Sequence, residues 1–277
     1  MSKVWMITGA SRGLGAFIAR AALADGDRVV VTARRMQALD ECFTEGPDQL
    51  FKQVLDVTDP QQANAAADAA LTHFGRIDVL VNNAGYGQLG PFETNSQAQV
   101  EQQFQTNVFG VFNVCRAVLP LMRNQRSGHI FNLSSVSGLI GMGGASLYSA
   151  SKFAIEGFSE ALTQEVASFG IRVTLVEPGV FRTDFLDSSS MAFGALSLHD
   201  YAAFVDKLQA SCAAGNHQQT GNPAKLADAL IALANAETPP LRYLAGSDAY
   251  SQVNAKLVRM RDEIERWQAL SASTDGF

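Results

Sequence analysis

Tyr148 and Lys152 stand four residues apart in a stretch where Phe153, Ile155, Phe158, Leu162 and Val166 recur at helical spacing. Residues four apart lie one above the other on a helix, so the phenol and the amine share a face. A free tyrosine titrates near about 10 and is a poor acid or base at neutrality. An ammonium beside it favours the phenolate and lowers that value, which makes Tyr148 usable as a general acid or base. Ser135 follows the apolar run 129–133. At the end of a strand, it could hydrogen-bond a substrate oxygen. Tyr-x-x-x-Lys alone also describes a solvated surface pair, so its meaning depends on what else the chain carries.

The elements that must position these groups alternate. Residues 4–7 read as a short buried strand, followed by Thr8-Gly9-Ala10-Ser11-Arg12-Gly13-Leu14-Gly15 and then Phe17, Ile18, Ala21 and Leu23 at helical spacing. Strand, glycine turn and helix form the context of a dinucleotide-binding fingerprint. Gly9 permits the turn, Gly13 lets backbone approach a pyrophosphate, and Gly15 lets the helix pack close to the strand. The helix N-terminus offers free N–H groups and a positive dipole end to phosphate. A second strand, 28–32, runs into Ala33-Arg34-Arg35. A carboxylate there would select NAD through the ribose 2′-OH; arginines suit a 2′-phosphate instead. Arg12 and Arg34 therefore favour NADP(H) over NAD(H), with Arg35 the bystander.

A third strand, 51–55, ends at Asp56-Val57, where Asp56 could accept the adenine amino group. A helix spans 60–74. A fourth strand, 77–81, is wholly apolar, as parallel strands buried on both faces are. It ends in Asn82-Asn83-Ala84-Gly85, whose small residues leave room for a cofactor and whose asparagines can bridge strands. Residues 97–122 read as one long helix with Asn107 inside it. Asparagine competes for backbone bonds in a helix interior. It is either a tolerated polar residue or a group that holds bent backbone and a water near the site. After the serine-bearing strand, the glycine-rich loop 138–144 should lie beside substrate. A sixth strand, 171–176, exits through Glu177-Pro178-Gly179-Val180, and Thr183 could contact a nicotinamide carboxamide. Residues 184–222 are less regular yet carry many apolar side chains, which predicts a lid for a bulky apolar carbonyl substrate. Asn222-Pro223 starts a helix as cap and first residue. A last strand covers 241–245, and Ser247-Asp248 caps a final helix, 247–270.

The chain has 277 residues, 47% of them hydrophobic, a size that suits one α/β domain without internal linkers. A net charge of −6 with only 17% charged residues argues against nucleic acid as a partner. Cys42, Cys115 and Cys212 are widely spaced and odd in number, which suits a reducing cytoplasm, and the four histidines make no metal-ligand set. No apolar run approaches the ~20 residues of a membrane span, and the start 4–7 is too short for a signal peptide.

Together the glycine motif, Asn82-Asn83-Ala84-Gly85, Asn107, Ser135, Tyr148 with Lys152, and Pro178-Gly179 with Thr183 resemble the short-chain dehydrogenase/reductase family, in its order and spacing, over nearly the whole chain. The resemblance implies a Rossmann-type, doubly wound, seven-stranded parallel sheet of order 3-2-1-4-5-6-7. It implies Tyr148 as the proton donor or acceptor, and Lys152 lowering its pKa and holding the nicotinamide ribose. Ser135 would orient the carbonyl, and Asn107 would anchor a water in a proton relay. It places cofactor contacts at Gly9, Ser11, Arg12, Gly13, Leu14, Gly15, Arg34, Asp56, Val57, Asn83, Ala84, Gly85, Tyr148, Lys152, Pro178, Gly179, Val180 and Thr183. It also implies use of the 4-pro-S hydride, and pairing through helices 97–122 and 146–168 into a homodimer or homotetramer. The Tyr-Lys spacing differs from that of the enoyl reductase branch. The C-terminal half looks like hydroxysteroid and retinol dehydrogenase-like enzymes and broad ketoreductases, and Glu177 is a departure where an apolar residue is expected. The expected activity is NADPH-dependent carbonyl reduction; the alternatives are an oxidative alcohol or hydroxysteroid-like dehydrogenase and a non-catalytic cofactor sensor.

Overall fold

Seven strands, all parallel, form the central sheet of a computed structural model that describes residues 2–44 and 48–276. They are β1 (Val4–Ile7), β2 (Arg28–Ala33), β3 (Leu50–Val54), β4 (Val79–Asn82), β5 (Gly128–Leu133), β6 (Ile171–Pro178) and β7 (Arg242–Ala245). In these labels the order across the sheet is 3-2-1-4-5-6-7, as expected. Side chains alternate across the pleat, so each strand feeds two cores. Met6, Val30, Leu80, Ile130 and Leu175 meet α3 (Pro60–Phe74), α5 (Gly110–Gln125) and α6 (Ser146–Val166) on one face. Trp5, Ile7, Val31, Val81 and Phe131 meet α1 (Gly13–Ala24) and α8 (Pro223–Asn235) on the other. Burial on both faces is why these strands read as continuous apolar runs.

Local chemistry sets the helix ends. Asp59 accepts from the N–H groups of Gln61 at 2.8 Å and Gln62 at 3.2 Å, Pro60 opens α3, and Gly75 closes it at φ 78°. Asn222 caps α8 in the same way, ahead of Pro223. The expected single helix 97–122 is instead α4 (Gln97–Phe104), a π turn (Gln105–Phe109) and α5. Asn107 lies in that π turn, so the bent-backbone alternative describes it.

Two further departures concern the C-terminal third. Within 184–222 the structure has a 14-residue helix, α7 (Ala202–Gly215), and a short strand, Met191–Phe193, paired in parallel with Gly87–Leu89. None of the residues of α7 is buried, so no apolar stripe announces it. The last helix, α9, runs Ser247–Ala272, and its cap position is Gly246 rather than Ser247-Asp248. Asp248 accepts instead from the Val180 N–H at 2.9 Å.

Candidate active site

The helical face expected from the sequence is present on α6. Lys152 is buried and its Nζ lies 5.7 Å from the centroid of the Tyr148 ring. Nζ donates to the Leu133 carbonyl at 2.6 Å, which pins the ammonium to the end of β5. Ser135 begins the short turn Val136–Gly138, where its Oγ accepts from the Ser137 N–H at 3.1 Å. Phe185 packs beside the Tyr148 ring, centroids 5.6 Å apart.

Electrostatically the site departs from the simple expectation that the lysine lowers the tyrosine. Burial pushes Tyr148 up to about 12, and the Ser135 hydroxyl opposes it. Burial also brings Lys152 down to about 8, with the Glu156 carboxylate pulling it back up. Desolvation disfavours the charged form of both groups, which moves the acid up and the base down. Between those values Tyr148 holds its proton while Lys152 loses its own.

Asn107 is 1% exposed and fully engaged. Its Oδ1 accepts from the Tyr86 N–H at 3.1 Å, and its Nδ2 donates to the Tyr86 carbonyl at 3.0 Å and to Ser151 Oγ at 3.2 Å. It thus ties the turn after Gly85 to the first turns of α6.

At the end of β1 the glycine motif forms a cradle. Gly9, at φ 63°, lies so close to Ala84 that a Cβ there would meet its Cα at 2.9 Å. A Cβ at Gly15 would meet Asn83 Nδ2 at 2.5 Å and the Gly9 carbonyl at 2.7 Å. Asn83 Nδ2 donates to the carbonyls of Thr8 and Gly9, locking β1 to β4. Gly13 differs: at φ 53°, a Cβ on it would meet only Thr183 Cβ, at 3.9 Å. No side chain caps α1, so its first N–H groups are not taken by a capping oxygen. An open approach above Gly13, beside uncapped helix donors, fits a dinucleotide pyrophosphate.

Most of the other predicted contacts lie at or just past the ends of the parallel strands. Arg34 is exposed immediately after β2, and Ser11 and Leu14 are half-buried in the motif. Arg12 donates to the Ser189 carbonyl. Asp56 Oδ1 accepts from Thr58 N–H and Oγ, at 2.9 and 2.8 Å. The Val57 carbonyl accepts from Asn113 Nδ2 at 3.0 Å. Pro178 ends β6, Gly179 N–H bonds to Ala245, and Val180 is held by Asp248. Thr183 Oγ1 accepts from the Phe185 N–H at 3.3 Å. Phe204 and Leu208 of α7 pack on Gly144 in the loop before α6, and Met142, Leu196, Leu198 and Phe204 are large apolar side chains left exposed in that loop and in the stretch from Leu196 into α7.

Sequence reasoning missed Phe185, the role of Asp248, and Glu156. Only Glu156 carried a signal, being one helical turn beyond Lys152.

A family model described as short chain dehydrogenase matches residues 3–192. An oxidoreductase, BOA17, of Botryotinia fuckeliana is 42% identical over 99% of this chain and 100% of its own. A 3-ketodihydrosphingosine reductase of Bacteroides thetaiotaomicron is 38% identical over 88% of each. The crystal structure of a short-chain dehydrogenase from Streptomyces avermitilis superposes with a TM-score of 0.90 at 40% identity, covering 99% and 100% of the two chains. Two more remote structures carry cofactors. A Burkholderia phymatum protein in complex with NAD has a TM-score of 0.80 at 26% identity, over 96% and 95% of the chains. A metagenomic oxidoreductase in complex with NADP has 0.69 at 29%, over 88% and 97%.

Proposed function

The chain belongs to the short-chain dehydrogenase family of oxidoreductases, and from that premise we propose that it is an NADPH-dependent reductase of bulky, largely apolar ketones or aldehydes. The observation that carries this reading is the Tyr148 phenol one helical turn from the buried Lys152, whose Nζ lies 5.7 Å from the ring centroid, with Phe185 packed against that ring.

Gly9, Gly13 and Gly15 shape the turn that receives the pyrophosphate, Asp56 takes the adenine edge, and Arg34 takes the 2′-phosphate. Ser11, Arg12, Leu14, Val57, Asn83, Ala84, Gly85, Pro178, Gly179, Val180 and Thr183 complete the binding surface. The nicotinamide, when bound, supplies the hydride. Ser135 orients the substrate oxygen, and Tyr148 gives that oxygen its proton. Lys152 holds the ribose and, once a phenolate forms, stabilises it as the nearest cation. Asn107 fixes the backbone at Tyr86, beside which a water would return the proton. Met142, Leu196, Leu198 and Phe204 exclude water from an apolar substrate. The protein works as a homodimer or homotetramer, and three free thiols suit a reducing cytoplasm.

The reverse reaction, oxidation of a secondary or hydroxysteroid-like alcohol, uses the same groups with Tyr148 as base. The NAD complex of the Burkholderia relative keeps NAD(H) as its alternative cofactor.

The test is NADPH and NADH oxidation against aryl ketones, ketoesters, 3-keto lipids and steroids. Tyr148→Phe is expected to cost roughly 10²–10⁴-fold in kcat, the usual contribution of a positioned general acid. Wild-type turnover in that variant would overturn the mechanism. Tight NADPH binding with no turnover on the whole panel would leave a cofactor sensor.

A further inference from the structure

Behind Lys152 a second set of ionisable groups is buried where no substrate reaches. Glu156, one turn along α6, is 5% exposed, and Glu177, near the end of β6, is fully buried. One guanidinium touches both carboxyl groups. Arg242 opens β7 and places its Nε 3.2 Å from Glu156 Oε2 and 3.6 Å from Glu177 Oε1, while its Nη2 goes to the exposed Glu160. Just past β5, Ser134 Oγ and Glu156 share the space beside Gly138. From α9, Asp248 reaches the same strand ends, but it is engaged by Val180.

No donor among the described residues reaches either oxygen of Glu177, or Oε1 of Glu156, in hydrogen-bonding geometry. Ionised carboxylates only accept, so two of them here would leave buried acceptors and like charges facing each other. One proton removes both difficulties. Glu177 then donates to Glu156, and a single negative charge remains. The local count also balances: Lys152 and Arg242 are cations, Glu156 and Glu160 are anions, and Glu177 is neutral.

We propose that Glu156 and Glu177 share one proton, and that this pair is a positioning device that holds the charge of Lys152 and through it the acidity of Tyr148. The proposal rests on the Tyr148–Lys152 mechanism only for its catalytic consequence. Burial is the larger cause that raises both acids, and for Glu177 the Glu156 carboxylate adds to it. As pH rises and the shared proton leaves, a second negative charge appears beside Lys152 and keeps the ammonium protonated to higher pH. Removing one acid leaves the other to ionise in its place. Removing both leaves Lys152 with no buried counterion.

The variants are Glu156→Gln, Glu177→Gln, the double variant, and Glu160→Gln as a control outside the pair. In infrared difference spectra at neutral pH, the wild type is expected to show a protonated-carboxyl band that each single variant loses and Glu160→Gln keeps. In kcat/KM against pH, the alkaline limb of the double variant moves to lower pH by about one unit, which is tenfold in protons, and by more than the two single shifts added. Thermal melts give a third readout. Because Glu177 in the fold titrates above its unfolded value of 4.5, the stability linked to it is full below that value and is lost as pH rises through the folded one. Glu177→Gln removes this loss, so its Tm gains on the wild type as pH increases. No protonated-carboxyl band in the wild type, or an unmoved limb in the double variant, overturns the proposal. Absence of carbonyl turnover would sink the assigned activity, while the band and the melts would still report the pair. If the double variant fails to fold, the single-variant bands decide.

Discussion

At the scale of single residues, the arrangement assigns the proton chemistry in a way the Tyr-x-x-x-Lys spacing could not. The spacing placed phenol and ammonium on one face, but the sign of each shift depends on burial, which a motif does not encode. With Tyr148 near 12 and Lys152 near 8, the lysine titrates before the tyrosine. The alkaline limb of kcat/KM, which reports the free enzyme, should therefore fall near pH 8 and belong to Lys152. Lys152→Arg keeps a permanent charge and is expected to abolish that limb at reduced activity. A limb that stays near 8 in this variant would assign it elsewhere. The linkage sign is opposite to that of Glu177. Lys152 in the fold lies below its unfolded 10.5, so its share of stability is full above 10.5 and is lost as pH falls through about 8. Arg34 carries a separate prediction, because it stands exposed at the end of β2 while Arg12 is turned to Ser189. A hydrogen bond to a charged group contributes about 1.5–3 kcal/mol. Arg34→Ala should therefore raise the NADPH Kd by roughly ten- to a hundredfold and leave NADH binding nearly unchanged, as read by fluorescence titration. Equal losses for both cofactors would remove the 2′-phosphate role.

At the scale of elements, the strand–turn–helix unit separates glycines needed by the fold from the glycine needed by the ligand. Gly15 faces backbone: an added methyl would sit 2.7 Å from the Gly9 carbonyl and 2.5 Å from Asn83 Nδ2, neither of which is free to move. Gly15→Ala is expected to destabilise the protein by about 1–3 kcal/mol, the usual cost of overpacking. Gly13→Ala meets open space and carries only the left-handed φ, about 1–2 kcal/mol, yet its methyl enters the proposed path of the pyrophosphate. Melts and NADPH titrations together should thus show Gly15→Ala failing first in Tm and Gly13→Ala failing first in Kd. Unaltered NADPH affinity in Gly13→Ala would place the pyrophosphate elsewhere. These roles were legible because each glycine holds a fixed place in the turn. The π turn at Asn107 was half legible, since a buried asparagine in a helix signals a disturbance but not its form. Helix α7 was not legible at all: it buries no residue, so the 3.6-residue period that reveals a helix was missing.

At the scale of the whole molecule, the strands could be read from the sequence because parallel strands covered on both faces are unbroken apolar runs joined by helices, while their order across the sheet came only from the resemblance to the family. What escaped are contacts between distant segments: the pairing of Gly87–Leu89 with Met191–Phe193, Arg12 with Ser189, Asp248 with Val180, and Arg242 with Glu156 and Glu177. No local pattern encodes such pairs, since each side chain looks ordinary until the fold closes. Surface composition leads to a last prediction. On the outer side of the π turn, α5 and α6, the rings of Phe109, Phe112 and Phe158 form a chain, with centroids 5.9 and 4.5 Å apart. Phe109 and Phe153 remain 47% and 46% exposed. Large apolar side chains grouped on one face mark an interaction surface more often than scattered ones do, and these lie on the two helices through which a homo-oligomer is proposed. A C2 contact would bring each aromatic patch against its own copy. Phe153→Glu and Phe109→Glu would then place like charges across the two-fold axis, and both are expected to shift sedimentation from oligomer toward monomer. Because Phe109 closes the π turn next to Asn107, only Phe153→Glu separates assembly from activity. It should dissociate the oligomer while leaving Tm in dilute solution close to that of a dissociated wild type. If both variants sediment as the parent does, assembly uses another surface. The exposed Leu257, Ile264 and Trp267, which recur at helical spacing along α9, are then the next residues to change.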